Sequence, residues 1–71
     1  MERIRVFKNY KNHMFYVYFE SQKNTGQKYC LYCEDDKTGQ HDLDLGNQCN
    51  TEQEFEDYLK NNFILVREYY G

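Results

Sequence analysis

The sequence predicts an α+β fold in which a small antiparallel sheet packs against one helix, in the order β-β-β-β-α-β. Three observations support this prediction. Short runs of β-branched and aromatic residues alternate with polar turn residues over residues 4–45. A helix-capping pattern begins at Thr51, and a last apolar run covers residues 63–69. With 71 residues, the chain is expected to form a single domain, residues 1–71, with one hydrophobic core.

Four strands are predicted before the helix, over residues 4–7, 13–20, 28–34 and 40–45. The second run gives the strongest signal, because β-branched and aromatic side chains suit a pleated, half-buried surface. Residues typical of turns separate the runs, so hairpins join the strands and the sheet is antiparallel. The inward-facing positions of the third and fourth strands are expected to be Tyr29, Leu31, Cys33, Leu43 and Leu45.

The second predicted strand has two different faces. Alternation places Phe15, Val17 and Phe19 together on one of them. This set is purely apolar, so we expect it to form the core face under the helix. Tyr16 and Tyr18 then lie on the other face, which is expected to stay exposed to solvent because a single helix covers one face only.

The predicted helix begins with a capping box. The Thr51 hydroxyl can accept a hydrogen bond from the Glu54 amide while the Glu54 carboxylate reaches back. Phe55 and Leu59 follow at helical spacing and are expected to hold the helix on the sheet. Residues 61–62 are both Asn, which tolerates the left-handed cap and can end the helix there. The last strand is expected to pair with the first strand or to lie at an edge.

Composition favours an intracellular protein from a bacterium. No apolar run is long enough to cross a membrane, and residues 1–6 lack the features of a signal peptide. We therefore expect a cytoplasmic protein without a membrane partner, and the odd number of cysteines, three, agrees with reduced thiols. Ala, Pro and Trp are absent while Asn and Lys are abundant. This bias in codon use indicates an AT-rich genome of a bacterium, its phages or its mobile elements.

Charge is unevenly distributed along the chain, although the formal net charge is only −3. Residues 1–33 contain six basic and two acidic side chains, whereas residues 34–57 contain nine acidic ones and one lysine. We interpret the second segment as an acidic surface that attracts a protein partner with a basic surface, and in its sharpest form imitates nucleic-acid phosphates. Solubility, turn formation and helix capping are alternative explanations of the same charges. The candidate acidic contacts are Glu34, Asp35, Asp36, Asp42 and Asp44.

Eight tyrosines are a second unusual feature. Tyr16, Tyr18 and Tyr32 are predicted to share the exposed face of the sheet. They can contact a protein partner, stack single-stranded bases, or simply support the sheet through cross-strand packing. Nucleic acid is the less expected ligand, because the chain is acidic overall and has no ribonucleoprotein motif.

Cys30, Cys33, His41 and Cys49 have the side-chain types of a tetrahedral zinc site. Cysteines separated by two residues bind one ion only when they lie on a tight turn, whereas residues 28–34 alternate like a strand. Cys30 and Cys33 should therefore point to opposite faces, and we expect no bound metal. A zinc-stabilised domain is kept as an alternative hypothesis.

No catalytic motif surrounds either histidine, and the four glycines do not form a phosphate-binding loop. We therefore expect neither enzyme activity nor a cofactor. The leading hypothesis is a small non-enzymatic binding protein, a regulator or inhibitor that engages a protein partner through the acidic surface, the tyrosine surface or both. A zinc-stabilised domain and a single-stranded nucleic-acid binder are the alternatives. An exposed edge strand would also allow a homodimer.

Overall fold

The computed structural model describes residues 1–34 and 42–71. In chain order its elements are β1 (Arg3–Asn9), β2 (Phe15–Phe19), a 3₁₀ helix (Glu20–Asn24), β3 (Cys30–Cys33), β4 (Leu43–Asp44), α1 (Glu52–Asn62) and β5 (Phe63–Tyr70). The strands form one antiparallel sheet in the order β4-β3-β2-β1-β5. The predicted α+β class and the order of strands and helix are confirmed. Asp35, Asp36 and His41 lie outside the described residues.

The last strand satisfies both of its predicted alternatives, because β5 pairs with β1 and also forms an edge of the sheet. At the opposite edge, β4 has only two residues, where the sequence predicted a strand over residues 40–45. The 3₁₀ helix occupies a segment in which the sequence predicted no helical structure.

The core lies between α1 and one face of the sheet, which we call the helix face. Phe55 and Leu59 are the buried residues of α1, as predicted. The largest fully buried side chains are Tyr16, Tyr18, Leu31, Leu45 and Phe55. Tyr29, Cys33 and Leu43 were also predicted to face inward, and they pack against this cluster.

The orientation of β2 is the reverse of the prediction. Tyr16 and Tyr18 are each only 1% exposed and belong to the core under α1. Phe15, Val17 and Phe19 therefore lie on the opposite face of the sheet. The expectation that the tyrosines form the exposed face is wrong.

Satisfied hydroxyl groups explain why the tyrosines can be buried. The Tyr18 hydroxyl donates a hydrogen bond to the Lys28 carbonyl oxygen at 2.7 Å, and the Tyr16 hydroxyl accepts one from the Asn12 amide at 3.1 Å. Burial of these rings therefore leaves neither hydroxyl unpaired, which is the usual condition for tyrosine in a core. The rings then fill the space under the helix more fully than aliphatic side chains would.

The rings of β2 make edge and tilted contacts with aromatic residues of α1 and β5. The Tyr16 ring meets Phe63 edge-on, with 5.6 Å between the ring centres. The Tyr18 ring is tilted against Phe55 at 5.0 Å. Such arrangements are favoured between aromatic rings, and they contribute beyond the burial of apolar area.

Arg5 is a buried cation at the junction of sheet and helix. Its residue exposure is 5%. Two of its guanidinium nitrogens donate to the two carboxylate oxygens of Glu56 on α1, at 2.9 and 3.0 Å. The guanidinium carbon also lies 5.4 Å from the centre of the Phe7 ring and 5.3 Å from that of Tyr18. This paired geometry attaches α1 directly to β1.

The start of α1 follows the predicted capping pattern with one difference. The Thr51 hydroxyl accepts from the Glu54 amide at 3.1 Å, as predicted. The Glu54 carboxylate accepts from the Asn50 amide at 2.6 Å, so it reaches one residue further back than the residue that caps the helix. Both bonds satisfy amides at the helix start that have no partner within the helix.

The helix α1 ends at Asn62, as predicted, but its cap differs from the predicted left-handed one. Phe63, the residue after the helix, has an extended backbone with φ −135° and ψ 159°, so no left-handed cap is formed. Its amide donates to the Leu59 carbonyl, and the Asn62 side chain donates to the Tyr58 carbonyl at 2.9 Å. The helix therefore passes directly into β5, because these bonds satisfy carbonyls at its end while the Phe63 ring enters the core.

The Arg5–Glu56 pair predicts a pH-dependent stability. The hydrogen bonds from Arg5 lower the pKa of the Glu56 carboxyl below its ordinary value. A lowered pKa in the folded state stabilises the protein above the unfolded pKa of roughly 4.3, and this contribution is lost as pH falls through the folded-state value. We expect Glu56→Gln to cost about 1–2 kcal/mol of unfolding free energy at neutral pH.

Urea unfolding at neutral and acidic pH measures this effect. The loss caused by Glu56→Gln should shrink as pH falls, because the protonated wild-type side chain resembles the amide. Glu52→Gln is the control, since Glu52 lies on the same helix but is 64% exposed in its pair with Lys23. A loss of equal size at every pH would contradict the assigned role of the pair.

Candidate functional site

The face of the sheet opposite α1, which we call the open face, is also apolar. Strand register and alternation assign its side chains. The apolar members on β1, β2, β3 and β5 are Ile4, Val6, Phe15, Val17, Phe19, Tyr32, Ile64 and Tyr69. The sheet is therefore apolar on both faces, and α1 covers only one of them.

On the open face, the central side chains are buried by their neighbours and the side chains at the rim are exposed. Ile4 and Val6 are buried by their neighbours, whereas Phe15 is 41% exposed and Ile64 44%. Tyr69 also belongs to the exposed large hydrophobic residues. Exposed apolar side chains on an uncovered sheet face are a feature of interaction sites.

A β-bulge in β5 decides which of its side chains reach the open face. Leu65 pairs with Phe7 and Arg67 pairs with Val6, so the strand register shifts at this point. One extra residue in a strand reverses the facing of all later side chains. Arg67 and Tyr69 therefore lie on the open face.

The same bulge sends Glu68 to the helix face. Its carboxylate accepts from the guanidinium of Arg3 at 3.0 Å, and Arg3 follows the same alternation as the buried Arg5. Without the bulge, Glu68 would lie on the open face and Arg67 on the helix face. The bulge therefore sorts two adjacent opposite charges to the two sides of the sheet.

Two cations on the open face lie over aromatic rings. The Lys8 ammonium is 5.8 Å from the centre of the Phe15 ring, and the Arg67 guanidinium carbon is 4.3 Å from that of Tyr69. Within residues 1–34 and 42–71, neither cation has a carboxylate within 4.0 Å. Cations and aromatic rings of this kind attract each other and hold the charged group at the surface.

Acidic side chains lie at the rim of the open face. Asp44 on β4 stands opposite Cys30 in the register, and its carboxylate accepts from the Gly46 amide at 2.8 Å. Glu2 accepts from the Ser21 amide at 2.6 Å. The Asp44 carboxylate therefore serves a local turn and the Glu2 carboxylate contacts the 3₁₀ helix, whereas the charges on β1 and β5 that reach this face are positive.

Local structural roles account for much of the predicted acidic surface. Asp42 accepts from the Cys33 amide at 3.2 Å, and Glu34 is exposed. Glu52 pairs with Lys23 at 2.7 Å, close to the start of α1. These contacts agree with the alternative explanation of the charges, while an acidic contact with a partner stays a prediction.

The predicted tyrosine surface requires a correction. Tyr16 and Tyr18 are buried under α1 and cannot contact a partner. Tyr32 is on the open face, as predicted, with its ring 6.2 Å from that of Phe19. The sequence reasoning missed Phe15 and Ile64 as surface residues, although apolar alternation on both sides of residues 13–20 was a signal that both faces are apolar.

The cysteines occupy separate environments. Cys33 faces Tyr16 in the register and packs against the core, whereas Cys30 follows the opposite alternation, as predicted. Cys49 belongs to the core cluster. Burial raises the pKa of the Cys30 and Cys49 thiols, which keeps them protonated. In the described part of the chain, no three histidine, cysteine or acidic side chains are grouped to hold a metal ion.

A small cavity lies beside the start of α1. Its volume is 180 Å³, below the roughly 300 Å³ at which ligand pockets begin. The residues that line it are Tyr18, Lys23, Lys28, Tyr29, Glu52 and Phe55. The ion pair between Lys23 and Glu52 joins two of these residues.

Comparison with known proteins gives no match: neither family models, curated proteins nor solved structures resemble the chain significantly. Across residues 1–34 and 42–71, no helix combines the length and the apolar character needed to cross a bilayer. The function is therefore inferred from the open face itself.

The buried position of Tyr18 can be tested by alkaline titration. Burial raises the pKa of the Tyr18 hydroxyl from its ordinary value of 10.0 to about 12. A raised pKa in the folded state contributes stability that is present below about pH 10 and is lost as pH rises through about 12.

We expect ultraviolet absorbance to show a late tyrosine ionisation that Tyr18→Phe removes. Tyr32→Phe is the control, because it deletes a tyrosine on the open face and should keep the late step. If Tyr32→Phe removed the late ionisation, or if Tyr18→Phe left it in place, the assignment of the raised pKa to Tyr18 would be contradicted.

Proposed function

We propose that the protein is a small non-enzymatic binding module whose open face engages a protein partner. The observation that supports this most directly is the exposed apolar rim formed by Phe15, Ile64 and Tyr69 around a buried centre. Exposed apolar side chains that share one face of a small domain are a feature of contact surfaces. Acidic residues at the rim then contribute to orientation rather than to the main contact.

The chemistry of the open face suits a protein interface. Aromatic residues and arginine are enriched at interface centres, and the open face combines Phe15, Tyr32 and Tyr69 with Arg67. The molecule measures 29 × 29 × 20 Å, so one face is large enough for the roughly 800 Å² that each partner buries in a standard interface. Paired strands support these side chains, which reduces the entropy lost on binding.

A chain of this size acts by occupying a surface of its partner. That mode of action is typical of a regulator or an inhibitor, and the AT-rich composition agrees with a bacterial or mobile-element gene. The proposed contact surface differs from the predicted one, because Tyr16 and Tyr18 are in the core. Tyr32 is the tyrosine that both surfaces share.

Ile64 and Leu65 provide a matched test of the open face. They are neighbours on β5 with similar exposure, 44% and 48%. Ile64 stands opposite Lys8, on the open face, and Leu65 stands opposite Phe7, on the helix face. We expect Ile64→Ser to weaken binding to a partner captured from the source cells by about tenfold, and Leu65→Ser to leave it nearly unchanged.

Binding is measured with the purified partner, after thermal unfolding has shown that both variants fold. Equal weakening by both substitutions, or weakening by Leu65→Ser alone, would reject the open face as the contact surface. A third variant, Asp42→Lys with Asp44→Lys, tests the acidic surface. Loss of binding in that variant alone would favour a basic partner held by the acidic residues.

A further inference from the structure

The open face also indicates the chemistry of its partner. We propose that it binds a protein segment in which apolar side chains are flanked by carboxylates, and that these carboxylates contact Lys8 and Arg67. This inference rests on the proposed function and adds the charge of the partner to it. We base it on a comparison of the charged side chains on the two sides of the sheet: their sign, and whether they form ion pairs.

The two arginines of β1, which lie on the helix side, have carboxylate partners. Arg3 pairs with Glu68 at 3.0 Å, and Arg5 pairs with Glu56 at 2.9 Å. On the open face, Lys8 and Arg67 contact aromatic rings instead, with no carboxylate within 4.0 Å in the described part of the chain. The open face therefore presents positive charge that no carboxylate of residues 1–34 and 42–71 neutralises.

The bulge in β5 makes this face positive. It places Arg67 beside the apolar centre at Val6 and removes Glu68 to the helix face. Bulges re-aim side chains next to functional sites. A regular strand would have presented Glu68 instead, and the face would then favour a basic partner.

The ring contacts prepare the cations for carboxylates. The Arg67 guanidinium carbon lies 4.3 Å from the centre of the Tyr69 ring, and a guanidinium can donate two hydrogen bonds to one carboxylate. The ring contact also restricts the side chain before binding, so less entropy is lost when the partner arrives. Lys8 supplies a second positive charge next to Phe15.

The same features favour a protein over a nucleic acid. Single-strand sites follow the phosphates with a basic groove, whereas this face has two cations, an acidic rim and the aliphatic residues Ile4, Val6 and Ile64. The net charge of −3 also opposes a polyanion. A short acidic and apolar segment fits both the charge and the apolar rim.

Peptide selection on the folded protein tests this inference. A display library of random short peptides is selected on the wild-type chain, and bound peptides are mapped by backbone amide shifts in nuclear magnetic resonance. We expect the enriched peptides to combine apolar residues with Asp or Glu and to shift amides of β1, β2 and β5. In the double variant Lys8→Glu and Arg67→Glu, their affinity should fall by about tenfold or more.

The control variant carries Lys28→Glu and Lys60→Glu, which changes the net charge equally. Lys28 lines the cavity on the helix side and Lys60 lies on α1, so peptide affinity should be nearly unchanged. Equal losses in both double variants would show a general charge effect and overturn the inference.

The remaining outcomes separate the inference from the proposed function. Enriched peptides that are neutral or basic but still map to the open face would overturn the acidic partner and leave a binding module. Peptides that map only to the helix side, or no enrichment at all, would overturn both. A single-stranded oligouridine that binds the open face more tightly than the peptides would replace the protein partner with nucleic acid.

Discussion

The ion pair between Arg5 and Glu56 holds α1 on the sheet, and the rest of the structure follows from it. A buried guanidinium left without a carboxylate would be strongly destabilising, so the helix must cover the side of β1 on which Arg5 lies. Alternation then places Phe7 under the helix as well, and Ile4 and Val6 opposite. Because Arg5 pairs with Tyr18 on β2, Tyr18 also lies on the helix face, with its ring against the guanidinium.

The sheet of this small protein is apolar on both faces, and its one helix covers only the face on which Arg5 lies. One face becomes the core, in which tyrosine hydroxyls find partners at the edge of the cluster. The other keeps Phe15 and Ile64 partly exposed. In so short a chain, apolar surface is in limited supply for the core. Apolar residues retained on the open face agree with the proposed binding of a partner there.

Charge is organised by the same geometry. Acidic residues that dominate the middle of the sequence form turn, capping and helix-to-sheet contacts, as Asp44, Glu54 and Glu56 do. Cations divide between the two sides of the sheet, and the bulge in β5 assigns Arg67 to the open face. A strongly asymmetric sequence therefore folds into a molecule whose open face combines an exposed apolar rim with positive charge.

The sequence by itself determined the elements, the start of the helix and the inward positions Leu31, Leu45 and Phe55, because these depend on local patterns. It also placed Tyr32 on the open face. Only the tertiary structure decided the facing of β2, since both of its sides are apolar or aromatic and the outcome depends on which side of the sheet α1 covers. The bulge that brings Arg67 to the open face arises from pairing between β1 and β5, at opposite ends of the chain, so no local pattern could reveal it.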